Sequence, residues 1–167
     1  MLQPTIVEKA VFTVVGCQQT FIHALSPEAN NLNVLDALWE RFCDRDREVS
    51  NRIGTESYGI IFERPKESRK HPHELEYIAG VRVSVAATIP DGMLCFTIPA
   101  ATFAVFVHKG PIKNIGTTAQ RIYRVWLPSS GYVRSGPVDV ELYDQRFCVD
   151  GAESEMEYWV PVVAKSK

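Results

Sequence analysis

Glu141 stands in an alternating run, Val138-Asp139-Val140-Glu141-Leu142-Tyr143. On a strand, a period of two sends Val138, Val140 and Leu142 to one face and Asp139, Glu141 and Tyr143 to the other. A carboxylate taken out of water is expensive unless it is paired or hydrogen-bonded. Glu141 is therefore either a charge reserved for a ligand or a solvated residue paired to a surface lysine or arginine. Rings with polar handles are also frequent: Tyr58, Tyr77, Tyr123, Trp126, Tyr132, Tyr143 and Trp159. An aromatic face attracts a cation by roughly 0.5–2 kcal/mol per contact, so rings gathered round an anion would make a site for lipophilic cations. For any single ring, packing in a core is the simpler reading. Trp126 is the exception, because it closes its helix beside a glycine turn that leads to Tyr132.

Other chemistries are poorly supported. His71 and His73 sit near Glu74 in a segment that also carries Arg64, Lys66, Arg69 and Lys70. An i, i+2 histidine pair without further ligands points to a solvated basic loop, so no metal is expected. His108 precedes Lys109-Gly110, but no serine or cysteine is placed as its nucleophile. There is no phosphate-binding glycine loop, HExxH or nucleophile elbow, and no cofactor is expected. Cys17, Cys43, Cys95 and Cys148 are widely spaced and form no CxxC pair. They fit reduced thiols in a cytoplasmic protein.

The elements that must position these residues come in a degenerate repeat. Phe12-Thr13-Val14 returns as Phe96-Thr97-Ile98, 84 positions later, and the same offset carries Leu38, Trp39 and Phe42 onto Ile122, Tyr123 and Trp126. Further on the offset is 81, taking Phe62 onto Tyr143 and Glu74-Leu75-Glu76-Tyr77 onto Glu155-Met156-Glu157-Tyr158. At that offset Glu141 matches Ile60, an apolar position turned into a carboxylate in one copy only. Each half reads as strand, helix, strand, strand. The first has a strand over 5–21 broken at Gly16, a helix capped by Asn33, a strand over 58–62 and another over 75–87. The second has a strand over 95–108 interrupted at Pro99, a helix over 117–127, and strands over 138–147 and 155–163. The expected fold is α+β: one domain over 1–167, with repeats of about 4–88 and 93–163, a sheet, two helices on one face, and a ligand cleft on the pseudo-twofold seam. The tail, Lys165-Ser166-Lys167, is expected to fray.

Bulk properties agree with one domain. The chain has 167 residues, 46% of them hydrophobic, and a net charge of −2 with no long block of one sign. That balance argues against direct nucleic-acid binding, which needs a basic face. The start, Met1-Leu2-Gln3-Pro4-Thr5, lacks the basic and apolar regions of a signal peptide. The longest apolar stretch, near 100–107, is too short to span a bilayer.

Several segments resemble the GyrI-like small-molecule-binding domains, which include the effector-binding domains of AraC-type and MerR-type regulators. They are Phe96-Thr97-Ile98-Pro99-Ala100 with His108-Lys109-Gly110-Pro111-Ile112, Trp126-Leu127-Pro128-Ser129-Ser130-Gly131-Tyr132, Val140-Glu141-Leu142-Tyr143-Asp144-Gln145-Arg146-Phe147, Glu155-Met156-Glu157-Tyr158-Trp159-Val160-Pro161-Val162, and Tyr77-Ile78-Ala79-Gly80-Val81. The likeness runs from about Pro4 to Val163. It implies two strand-helix-strand-strand units around a central aromatic pocket whose glutamate recognises cationic, hydrophobic compounds. That glutamate falls on Glu141, and the wall residues on Tyr58, Tyr77, Trp126 and Tyr132. Two departures mark this chain: Arg82, where relatives often carry an acid, and the basic connection over 65–74.

The resemblance implies a small-molecule binder whose ligand is lipophilic and cationic. No helix-turn-helix precedes the domain, so the expected role is a standalone sensor or sequestering module, working as a homodimer or with a separate DNA-binding regulator chain. Two other functions implied by the family stay open. One is hydrolysis of cyclopropane-containing electrophiles by Glu141 with a tyrosine; the other is inhibition of DNA gyrase.

Overall fold

The computed structural model describes residues 3–166; Met1 and Leu2 of the leader reading, and Lys167 of the tail, lie outside them. Nine strands and two helices follow in chain order: β1 (Thr5–Lys9), β2 (Phe12–Ile22), α1 (Asn31–Cys43), β3 (Ser57–Phe62), β4 (Glu74–Val83), β5 (Leu94–Ile98), β6 (Ala101–Lys109), α2, β7 (Tyr132–Arg134), β8 (Val138–Tyr143) and β9 (Glu155–Ala164). α2 starts as an α-helix over Ile115–Gln120, widens to a π-helix over Arg121–Trp126 and closes with a last turn at Leu127–Ser129. Pro128 in that turn has no N–H to return to the preceding turn. One residue on, the Ser129 hydroxyl donates to the Val125 carbonyl, at 2.7 Å.

The sheet is antiparallel, in the order β1-β6-β9-β8-β3-β4-β2-β5, with β7 added beside β9. Read outward from the β3–β8 ladder the order is symmetrical: β3 matches β8, β4 matches β9, β2 matches β6 and β5 matches β1. Ile60 pairs with Ile78, and Val140 with Trp159. Ile60 and Val140 also pair with each other, so the pseudo-twofold axis passes between them. The edge strands are exchanged: β1 completes the second half by pairing with β6, and β5 completes the first by pairing with β2.

This register corrects two parts of the repeat. Phe12-Thr13-Val14 and Phe96-Thr97-Ile98 are neighbours, not copies: Phe12 faces Ile98, Thr13 faces Thr97 and Val14 faces Phe96. They look alike because cross-strand partners share one environment. In β3 and β8 the true offset is one residue shorter than 81. The counterpart of Glu141 is Ile61, which pairs with Tyr77 as Glu141 pairs with Tyr158. A one-residue slip moves a side chain to the other face, and Ile60 points away from Glu141. The helical matches stand: Leu38 and Phe42 are buried beneath α1 as Ile122 and Trp126 are beneath α2.

Element boundaries also move. The break in the first strand falls at residues 10–11, and β2 runs unbroken through Gly16, which pairs with Gly80. α1 begins at Asn31 with no side-chain cap, and β8 stops at Tyr143. β7 was not expected. Lys165 does not fray: its ammonium donates to the carbonyls of Pro128 and Ser130, at 3.3 and 2.7 Å.

Both sheet faces are apolar. One packs under the two helices around Tyr77, Phe106, Ile122 and Met156. The other holds Phe12, Tyr58, Ile60, Val140 and Trp159. On that face the Phe12 and Trp159 rings lie 6.3 Å apart, although three strands separate β2 from β9. A flat sheet would place those strands about 19 Å apart at the usual interstrand spacing. The sheet is therefore strongly curled, concave around this second core. Among the described residues no helix is long and apolar enough to cross a membrane.

Candidate functional site

A cavity of about 360 Å³ opens between the helix-covered face of the sheet and the facing ends of α1 and α2. Both halves line it, Phe21, Leu35 and Ile61 from the first, and Ile115, Tyr123 and Tyr158 from the second. It therefore sits on the seam that the repeat predicts. Glu141 lies in its wall and is 5% exposed.

Two phenols hold Glu141. Tyr77 and Tyr143 both donate to Oε2, at 2.5 and 2.7 Å, and the Trp39 indole N–H donates to the Tyr77 oxygen at 3.2 Å. The other carboxylate oxygen, Oε1, accepts no hydrogen bond from the described residues. Burial pushes the Glu141 carboxyl above the ordinary glutamate range, and the two phenols pull it back. Burial and the adjoining charge hold the Tyr77 and Tyr143 phenols well above the ordinary tyrosine range, so both stay protonated donors.

The neighbouring carboxylates differ. Asp139 accepts from the Arg134 guanidinium at 2.8 Å, from Tyr158 at 3.0 Å and from Tyr123. Burial raises its pKa, while Arg134 and the phenols oppose the rise. Glu63 pairs with Arg69 at 2.7 Å. Of the three acids lining the cavity, Glu141 alone lacks a cationic partner among the described residues. Its bonds to the two phenols orient the carboxyl group and bring it no countercharge.

Gly59 makes this approach geometrically possible. It faces Glu141 across the β3–β8 ladder. A Cβ at Gly59 would fall 2.0 Å from the Tyr77 hydroxyl oxygen and 2.8 Å from Glu141 Oε2. The lone glycine in Tyr58-Gly59-Ile60-Ile61-Phe62 is the sequence signal for such a contact, since glycine weakens a strand unless another group must come close.

Of the residues expected to line a pocket, only Glu141 does so directly. Tyr77 stands behind it as a hydrogen-bond donor. Trp126 packs edge-on against Phe106 and carries Tyr132 stacked on its outer side, with ring centroids 6.1 Å apart; neither lines the cavity. Tyr58 is corrected most sharply. It alternates with Gly59 and so points into the opposite core, against Phe12 and Trp159. The aromatic wall comes instead from Phe21, Tyr123 and Tyr158. Tyr123 was legible in the helical stripe, and Tyr158 in the match to Tyr77. The histidine segment also reaches the site: His23 and His73 lie at its rim, with rings 5.2 Å apart. No metal-binding group of three or more ligands occurs among the described residues.

Known proteins are similar to this chain at several distances. The transcriptional regulator BrlR of Pseudomonas aeruginosa is 34% identical over 159 residues, which cover 94% of this chain and 54% of BrlR. The chain thus spans about half the length of that relative. The solved structure of SAV2435 bound to tetraphenylphosphonium aligns over 97% of this chain and 94% of its own, with a TM-score of 0.74 and 15% identity. The EcmrR C-terminal domain aligns over 99% of each chain, with a TM-score of 0.66 and 17% identity. At these identities the two structures speak for the fold. The family model for the GyrI-like small molecule binding domain matches residues 2–163, and with that match over nearly its whole length the chain belongs to the GyrI-like family of small-molecule-binding domains.

Proposed function

We propose that this domain binds an amphipathic organic cation in the seam cavity and acts as a sensor or sequestering module for such compounds. The positive centre sits at Glu141 Oε1, and the apolar groups lie against Leu35, Ile61, Tyr123 and Tyr158. The observation that carries this reading is the Glu141 carboxylate itself, oriented by two phenols, buried and without a countercharge. The tetraphenylphosphonium held by SAV2435 supports the ligand class. A lipophilic cation gains Coulombic attraction that water screens poorly at this depth, together with ring-face contacts.

The test is Glu141→Gln, which keeps the size and removes the charge. Calorimetry with tetraphenylphosphonium and the neutral triphenylphosphine oxide is expected to show at least a tenfold loss for the cation, about 1.4 kcal/mol or more, and little change for the oxide. Equal losses for both ligands, or none for either, would overturn the reading. Stability should stay level or rise slightly at neutral pH, because an uncompensated buried charge has gone. The sign follows from linkage: the folded pKa lies above the unfolded one, so the native state keeps a proton that the unfolded chain has lost, and stability falls as pH rises through that window.

Cation affinity should run the other way with pH. Acidification protonates Glu141 and removes the attraction, and the loss should begin above the pH at which an exposed glutamate titrates. Titrations of tetraphenylphosphonium between about pH 4 and pH 8 check this. An affinity flat over that range in the parent protein would count against a charged Glu141 at the site.

A further inference from the structure

Two guanidiniums also line the cavity, on the side of its exposed acid, Glu63. Arg69 lines it from the β3–β4 connection and Arg134 from β7. Each guanidinium is anchored independently. Arg69 Nε donates to the Arg64 carbonyl at 2.7 Å, and Arg134 donates to Asp139 at 2.8 Å. One further nitrogen of each lies near the same carboxylate, Glu63: Arg69 Nη2 at 2.7 Å and Arg134 Nη1 at 3.9 Å, while the buried Arg134 Nε has no partner among the described residues. Glu63 is the loosest member of the three: its side chain is 47% exposed, against 14% for Arg69 and 28% for Arg134. His23 adds a further donor. Its Nδ1 accepts from the Leu25 N–H at 3.2 Å, which leaves the ring proton on Nε2.

We propose that Arg69 and Arg134 form a second subsite for an anionic group of the ligand, which displaces Glu63, so that the preferred ligand is a zwitterion with its cation at Glu141 and its anion at the two arginines. This inference rests on the cation reading above and deepens it. Glu63 serves as an internal stand-in for the ligand anion. Because each arginine keeps its own anchor when Glu63 leaves, the pair is preorganised, and two planar guanidiniums suit a carboxylate or a phosphate. The spacing follows from the strand. Glu141 faces Gly59, and Glu63 lies four residues further along the same chain, so the two charged groups of the ligand should be separated by roughly 10–13 Å at the usual rise per strand residue.

A matched series tests this: an alkyltriphenylphosphonium, its ω-carboxyalkyl analogue with the carboxylate about 10 Å from phosphorus, and the methyl ester of that analogue. In the parent protein the carboxylate should bind about tenfold tighter than the ester, as expected for one added charge-assisted contact. Arg69→Gln should abolish that ratio. Glu63→Gln should widen it, since the competing carboxylate has gone. A carboxylate-to-ester ratio near one in the parent, with the whole series still weakened by Glu141→Gln, would overturn this inference and leave the cation reading standing. Failure of every phosphonium to bind would overturn both. A ratio that survives Arg69→Gln and Glu63→Gln unchanged would place the anion elsewhere and also overturn it.

Discussion

Gly59→Ala is expected to lower stability by about 1–3 kcal/mol, the usual effect of forcing one extra carbon into a close-packed interior, and to weaken cation binding at least tenfold. The added methyl group would overlap the Tyr77 hydroxyl and crowd Glu141. Tyr77 is fully buried, with Phe21 and Trp39 packed edge-on against its ring, so it has little room to retreat. The two effects separate in a second variant. Gly59→Ala with Tyr77→Phe removes the overlapping oxygen and should recover much of the stability. It should not recover full affinity, because Glu141 then has one phenol instead of two. Urea unfolding and calorimetry on the three proteins check this. A Gly59→Ala protein with the parent's midpoint would show that the tyrosine is not pinned as described.

Arg134→Ala should do still more damage, destabilising the fold by about 3 kcal/mol at neutral pH, the lower end of the range for breaking a buried ion pair because the arginine is partly exposed. The loss comes from Asp139, which stays buried with only phenols for company. Burial already raises the Asp139 carboxyl above its ordinary range, and Arg134 is the first influence holding it down. Without the guanidinium the folded pKa climbs further. The destabilisation should therefore appear as pH rises through the shifted value and shrink on acidification, when Asp139 takes up a proton. Arg134→Ala with Asp139→Asn should recover most of the parent's stability. Unfolding curves at neutral and acid pH distinguish the cases; equal losses at both would mean that packing by the arginine stem, not charge, is what was removed.

How much of this was legible in the sequence depends on which residues are asked. Alternation in β8 put Glu141 and Asp139 on one face, because a period of two is a local property of a strand. The helical stripes that bury Leu38 with Phe42 and Ile122 with Trp126 were equally local. Register was harder. The 81-residue match of Tyr77 to Tyr158 holds in β4 and β9 but slips by one in β3 and β8, and that slip exchanged Ile60 for Ile61; Tyr58, placed in the wall by the family resemblance, instead alternates with Gly59 and faces Phe12 and Trp159. The curl of the sheet was invisible, since it depends on Phe12 meeting Trp159 across three intervening strands. So was the site's aromatic wall. Trp126 and Tyr132 have the composition of a binding pair, yet they stack on each other away from the cavity, while Tyr123, one turn earlier in α2, faces it. Asp139 carries the same alternation signal as Glu141; the nearby Arg134, brought in by an unexpected strand, pairs with it and leaves Glu141 without a cationic partner among the described residues.

The exchange of edge strands also governs how this chain can reach its native state. Thr5 finds Val105, and Phe12 finds Ile98, so the outer ladders close loops of about 80 to 100 residues. Contacts between such distant segments arrive late and slowly, because the entropy of closing the loop is lost before the ladder offsets it. Neither half has a finished sheet until the other supplies its border. The seam cavity is thus enclosed by a single cooperative unit, and a ligand that bridges the seam stabilises both halves together.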